Sequence, residues 1–463
     1  MTQEKDSPGA ARDALTDRAF VAAINLARDI VANEARSRLP LRQDPGQMHE
    51  RLGLTLDGEG CEFEELVERL RAVLMATPSS ASRLFVNQLF GGRVPVATMA
   101  EMLTALTNSS MYTYKAAGPQ ILIEEEVLGR MLDKVGYFGG EGAFCPGGSL
   151  CNLNAMLLAR NAVVPNARET GLDGRRLVVY ASDQCHYSLR KAAGVLGIGR
   201  ERLRLVPSDA RGRMRVDLLE AALDEDRDAG RSGMMIVATA GTTVLGAFDP
   251  IREIADLARE RGIWLHVDGA FGASVLLSER HRCLVDGCEL ADSIAWDPHK
   301  MLGMPLSCSV LLLRKSGQLD ASLNEQARYL FQADDDRFNP GTRSIQCGRR
   351  NDALKLWVAW AFYGDRGLGA RIDRQFDLAR CFAELVEADG RLRLVHTPEC
   401  VNICFERPGA ASAEICDRLD REGRLKIGFG QVDGRDAIRM VCVNPDLTRA
   451  DLVRVIEEIL AVS

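Results

Sequence analysis

Apolar residues recur at helical spacing through the first 80 positions, as in Ala19-Phe-Val-Ala-Ala-Ile-Asn-Leu-Ala-Arg-Asp-Ile. Pro40, Pro45 and the glycines at 53, 58 and 60 break that stretch into separate predicted helices. From about residue 120 the pattern alternates. Residues 121–135 predict a helix, 136–148 a glycine-rich turn and 150–160 a second helix. Short apolar runs at 177–181, 234–239, 263–267 and 309–313 predict buried strands, with helices such as 251–261 between several of them. Strands alternating with helices predict an α/β fold whose mainly parallel sheet is covered on both faces. Ligands of such sheets bind beyond the carboxyl ends of the strands. Near residue 372 the pattern changes. Helices at 376–388, 413–422 and 450–460 interleave with short strands at 392–395, 401–405, 426–429 and 438–443. The expected division is a helical segment over 1–80 that packs in a dimer, a large domain over 81–372 and a small α+β domain over 373–463.

Composition narrows the class. The 463 residues are 46% hydrophobic and 27% charged, as in ordinary globular proteins. A net charge of -7 with interspersed signs argues against a nucleic-acid or anionic-membrane surface. No apolar run approaches the ~18 residues of a membrane span. The opening Met1-Thr-Gln-Glu-Lys-Asp-Ser lacks the form of a signal peptide, so the expected compartment is the cytoplasm. Thirteen scattered cysteines include no CxxC pair and no His/Cys cluster at zinc spacing. They read as reduced, mostly buried small hydrophobes, and no metal site is expected.

Candidate chemistry concentrates at the ends of the predicted strands. Lys300 closes the run Asp292-Ser-Ile-Ala-Trp-Asp-Pro-His-Lys and can present its amine to an aldehyde. Upstream, Trp264-Leu-His-Val-Asp268 reads as a buried strand ending in a carboxylate. Either alone would pass for an ordinary strand-end charge. Together they supply what pyridoxal phosphate needs, an amine for attachment and a carboxylate that keeps the pyridine nitrogen protonated. Pro146-Gly147-Gly148-Ser149 precedes a helix, where glycines admit an anion to free backbone N–H groups and Ser149 adds a hydroxyl. His186, in Asp183-Gln-Cys-His, follows a strand and could stack on the pyridine ring. Thr243, in Ala240-Gly-Thr-Thr, also follows a strand and could touch cofactor or substrate.

The order of these five features resembles the group II pyridoxal-phosphate-dependent amino acid decarboxylases, within them the cysteine sulfinate and glutamate decarboxylase branch. The likeness runs from about Phe85 to Asn444. Its marks include Asn87-Gln-Leu-Phe-Gly, Met111-Tyr-Thr-Tyr, Phe144-Cys-Pro-Gly-Gly-Ser, Tyr329-Leu-Phe-Gln and Arg439-Met-Val-Cys-Val-Asn-Pro. The resemblance implies the fold type I, aspartate aminotransferase-like architecture and a homodimer with active sites between subunits. It implies that Lys300 carries the cofactor, Asp268 pairs with the pyridine nitrogen and His186 stacks on the ring. Gly148, Ser149 and His299 would surround the phosphate, with Ala270 and Thr243 beside the ring. Arg439 would anchor the substrate carboxylate through its planar fork. Tyr329 matches a mobile-loop tyrosine that returns a proton to the substrate carbon. The polar stretch from Ala333 to Gly341 suits a lid, although it looks a few residues shorter than in the family.

Substrate choice is the less specific part of the resemblance. Asn87, Gln88, Ser110 and Tyr112 stand where this branch meets its substrate. Arg93 and Lys115 replace residues that are usually not cations, which would favour a small dianionic substrate such as cysteine sulfinate, cysteate or aspartate. The substrate class expected from the resemblance as a whole is a small acidic amino acid, those three or glutamate. The expected reaction is α-decarboxylation to the amine and carbon dioxide. Alternatives are a decarboxylase of diaminobutyrate or an aromatic amino acid, an oxidative aldehyde-forming decarboxylase, and a scaffold that binds cofactor without catalysis. Tyr329 argues against the oxidative outcome, and the intact site set argues against the scaffold.

Overall fold

The computed structural model describes residues 8–36, 38–56, 58–325 and 338–462. Its centre is a seven-stranded sheet of β1 (Glu141–Cys145), β2 (Leu177–Ser182), β3 (Leu203–Val206), β4 (Ser232–Thr239), β5 (Trp264–Asp268), β6 (Ser293–Trp296) and β7 (Ser309–Leu313). The strands lie in the order β1-β7-β6-β5-β4-β2-β3. Pairs from β3 through β6 are parallel, while β7 runs antiparallel to both β6 and β1. Strands β1, β2 and β5–β7 are buried along their whole length, and for β2, β5 and β7 that is why they read as apolar runs rather than alternating ones. The mainly parallel α/β architecture expected from the pattern is therefore present.

Strand β1 departs from expectation. It lies inside the stretch read as a glycine-rich turn, because Gly140 and Gly142 suggest a loop. Close packing explains the glycines. A Cβ at Gly140 would come 2.3 Å from the Leu313 carbonyl oxygen, and one at Gly142 would come 2.8 Å from the Leu312 side chain.

A second, antiparallel sheet follows, with β8 (Arg393–Leu394), β9 (Asn402–Glu406), β10 (Gly428–Val432) and β11 (Arg435–Val441) in the order β10-β11-β9-β8. The helix Ala353–Ala388 leads into it and bends at Gly364, where φ is 62°. The change of pattern near residue 372 thus falls within one element. Among the described residues no helix is long and apolar enough to cross a membrane.

Candidate active site

Because β1 is parallel to β6, the loops after β1, β2, β4, β5 and β6 all leave the same edge of the sheet. Those loops carry Gly148 and Ser149, His186, Thr243, Ala270, and His299 with Lys300. All seven, with Asp268 at the end of β5, line one cavity of about 250 Å³. Sequence reasoning placed Gly148 and Ser149 before a helix and the others at strand ends, and the sheet brings them together.

Asp268 is 5% exposed and is held by donors. Asn152 Nδ2 donates to its Oδ2 at 2.8 Å, and the Ala270 backbone N–H donates to Oδ1 at 3.3 Å. Asn152 Oδ1 in turn meets His266 Nε2 at 3.0 Å, and His266 Nδ1 meets Ser293 Oγ at 2.8 Å. Burial pushes the His266 pKa down to about 4, so this imidazole is neutral at pH 7. An acceptor opposite Nε2 assigns the proton to that nitrogen. Asn152 Nδ2 also reaches Ser188 Oγ at 3.0 Å, and that hydroxyl lies 2.8 Å from His186 Nδ1. One buried amide therefore orients both Asp268 and, through Ser188, His186. Burial lowers the His186 pKa, partly opposed by Asp268.

Lys300 and His299 share a neighbour. Lys300 Nζ lies 3.2 Å from Asp297 Oδ2, and His299 Nε2 lies 3.8 Å from the same oxygen. His299 Nδ1 sits 2.8 Å from the Cys308 carbonyl, which fixes the ring, and burial lowers its pKa. Gly147 has φ of 110°, a conformation that favours glycine. Gly148 opens the helix Gly148–Val163, and a Cβ there would come 2.6 Å from Asp297 Oδ2. The glycine pair thus lets the helix start approach the floor of the cavity.

These residues fit pyridoxal phosphate. The helix start, Ser149 and His299 offer an anion site, Lys300 an amine, and Asp268 a carboxylate, all on one cavity. Two further lining atoms, Thr239 Oγ1 and Asp297 Oδ1, are buried without a hydrogen-bond partner. Such atoms cost about 1–3 kcal/mol each when left unsatisfied. A polar occupant would remove that penalty. Among the described residues no group of His, Cys, Asp and Glu could hold a metal ion.

Arg439 lies beside the cavity rather than on its lining. Its Nη1 donates to the Thr243 carbonyl and its Nη2 to the Asn87 carbonyl, both at 2.7 Å. Nε has no partner, and burial lowers the pKa of the group. Asn87 thus contributes its backbone, Gln88 is exposed, and Leu89 is the residue of that segment that lines the cavity. Ser110 and Tyr112 do not line it. They pack on the chain that follows residue 338, where the Tyr112 carbonyl accepts from Gly341 N–H and Ser110 Oγ neighbours Gly348.

The two cations expected to select an acidic substrate are placed elsewhere. Arg93 forms an ion pair with Glu34 and lines a different cavity, with Glu101 and Met304. Its charge is already matched, so that expectation is corrected. Lys115 is exposed on the short helix Tyr114–Ala117 and does not line the Lys300 cavity. Tyr329 and residues 333–337 of the expected lid lie outside the described residues.

Sequence reasoning missed Asn152, His266, Ser188 and Asp297. Three of them had a readable signal. Asn152 is one helical turn after Ser149, and His266 is two residues before Asp268, hence on the same face of the strand. Asp297 stands three residues before Lys300, within the same motif.

A family profile described as "Pyridoxal-dependent decarboxylase conserved domain" matches residues 45–407. The chain is 40% identical to human (Homo sapiens) cysteine sulfinic acid decarboxylase over 440 residues, covering 90% of this chain and 89% of that protein. It is 35% identical to glutamate decarboxylase of Drosophila melanogaster over 440 residues, covering 90% and 86%. The crystal structure of mouse CSAD superposes with a TM-score of 0.92 at 37% identity, covering 97% of this chain and 98% of that one.

Proposed function

The chain belongs to the pyridoxal-dependent decarboxylase family, and from that premise we propose that it removes the α-carboxylate of a small acidic L-amino acid, yielding the amine and carbon dioxide. The observation that carries this reading is the meeting of Lys300 and Asp268 in one cavity beside a glycine-lined helix start. Relatives named for cysteine sulfinic acid and glutamate support an acidic substrate, with cysteate and aspartate as further members of the class.

Pyridoxal phosphate, when bound, supplies an electron sink for the pair of electrons that the departing carboxylate leaves behind. Lys300 would tether it, with Gly148, Ser149 and His299 around the phosphate and Ala270 and Thr243 beside the ring. Asp268 would hold a proton on the pyridine nitrogen, and its own orientation rests on Asn152. His186, kept neutral by burial, suits a flat stacking surface over the ring. Arg439, with Nε and unused Nη protons, would take the carboxylate that is retained or removed from the substrate. Tyr329 would return a proton to the carbon that lost the carboxylate.

We further propose a homodimer. Ser110 and Tyr112 would then reach the second copy's cavity, which accounts for their distance from their own. Exposed apolar residues on the helix Pro8–Glu34, including Leu15, Phe20, Ile24 and Val31, support a covered face there. The cytoplasm suits thirteen cysteines that are all unpaired.

The test is a panel of cysteine sulfinate, cysteate, aspartate, glutamate, diaminobutyrate and an aromatic amino acid, with carbon dioxide and amine measured together on cofactor-loaded protein. Equal amounts of both from an acidic member are expected. Release of aldehyde and ammonia would instead establish the oxidative reaction, and turnover confined to a non-acidic member would remove the substrate reading.

A further inference from the structure

Within Asp297-Pro-His-Lys300, the chemistry above employs His299 and Lys300 and leaves Asp297 without a part. Its geometry is that of a functional group. The side chain is 1% exposed, yet it lines the cavity. Oδ2 lies 3.2 Å from Lys300 Nζ, and Oδ1 is buried with no hydrogen-bond partner.

A carboxylate this buried needs a cation or several donors. Asp268 has its donors in Asn152 and the Ala270 N–H. Asp297 has no comparable set. His299, at 3.8 Å, is pushed toward its neutral form by burial and does not supply the charge. That leaves the Lys300 amine as the counter-ion. The helix start lies close beside the same carboxylate, since a Cβ at Gly148 would come 2.6 Å from Asp297 Oδ2.

We propose that Asp297 is a positioning residue that holds the Lys300 amine as its counter-ion, so that attachment of the cofactor requires this ion pair to open. The proposal rests on the reading of Lys300 as the point of attachment. In that step the ammonium gives one proton to solvent. The neutral nitrogen then bonds to the aldehyde carbon, and its two remaining protons leave with the aldehyde oxygen as water. An amine committed to Asp297 presents no lone pair to the aldehyde, so the pair restrains loading of the protein. The same pair keeps Lys300 pointed into the cavity while it waits.

The test uses cofactor-free, full-length protein mixed with pyridoxal phosphate. Attachment is read by borohydride trapping at timed intervals and the mass of the Lys300 peptide. Asp297→Asn keeps the shape and removes the charge, and Asp297→Ser is a second variant should the first fold poorly. Attachment should accelerate about tenfold, the scale of one hydrogen bond between charged groups. The same proteins are titrated with pyridoxine phosphate, which has the ring and phosphate but an uncharged hydroxymethyl group in place of the aldehyde. Its affinity should not change. An unchanged attachment rate in a variant that melts like the parent would overturn the proposal. So would equal gains for both ligands, which would mean that Asp297 merely repels phosphate. Failure of the unsubstituted protein to attach at Lys300 would instead remove the reading on which the proposal rests.

Discussion

A buried carboxylate stays charged only where donors or a cation surround it, and at Asp268 the decisive donor is a neutral amide. Asn152 binds Asp268, His266 and Ser188 at once, so its loss would release three groups. Asn152→Ala should weaken cofactor binding roughly 10- to 100-fold, the scale of one hydrogen bond to a charged group, with the fold retained. Equilibrium titration of cofactor against the variant checks this, and unchanged affinity would refute it. His266 carries a pH signature. Its native pKa of about 4 lies below its ordinary 6.5, so the unfolded chain takes up the proton first as pH falls. Stability is therefore full above about 6.5 and is lost as pH falls toward about 4, by up to about 3 kcal/mol. His266→Gln should remove that slope. Melting curves of both proteins between those pH values should converge toward the acid end, and a constant gap would contradict the assignment.

At the scale of elements, short stretches of chain aim the chemistry. Strand β5 alternates, so His266 and Asp268 share a face while Val267 packs in the core. The helix Gly148–Val163 presents its first N–H groups because Gly147 takes a left-handed turn and Gly148 has no side chain. Gly148→Ala would drive a methyl group against Asp297. The variant should keep its secondary structure by circular dichroism but lose cofactor absorbance at equilibrium. Normal loading would show that the floor of the cavity yields. Most helices and the central strands were legible from periodicity, because burial on both faces writes a continuous apolar run. Strand β1 was not, since close approach to β7 demands glycines that locally read as a turn.

At the scale of the whole molecule, Arg439 ties three regions together. It sits on β11 of the small sheet and donates to carbonyls of Thr243 and Asn87 from two separate segments. The proposed dimer adds a further joining, which mixed chains can test. Lys300→Ala chains would be combined with chains carrying both Ser110→Ala and Tyr112→Ala, after reversible dissociation. Only the mixed dimer has one cavity with Lys300 and an intact Ser110 and Tyr112. If both parents are inactive, about a quarter of unsubstituted activity should return, as random pairing in a two-fold dimer requires. No gain over the parents would mean that these residues do not complete a partner's cavity.

The sequence by itself determined the α/β pattern and the kinship, and it singled out the residues proposed for the site, because each chemistry needs a particular residue type at a strand end or a helix start. Lys300, Asp268 and His186 were readable at strand ends, and Gly148 at a helix start. Tertiary structure alone decided which polar residues support them and which cations are already matched. Arg93 was read as a cation that would favour an acidic substrate, yet Glu34, 59 positions away, pairs with it. Asn152 reads in sequence as an ordinary helical amide, yet it joins Asp268 to His266 and Ser188 across 116, 114 and 36 positions. Pairing of charges and satisfaction of buried donors depend on distances through space, and a linear pattern records residue types without those distances.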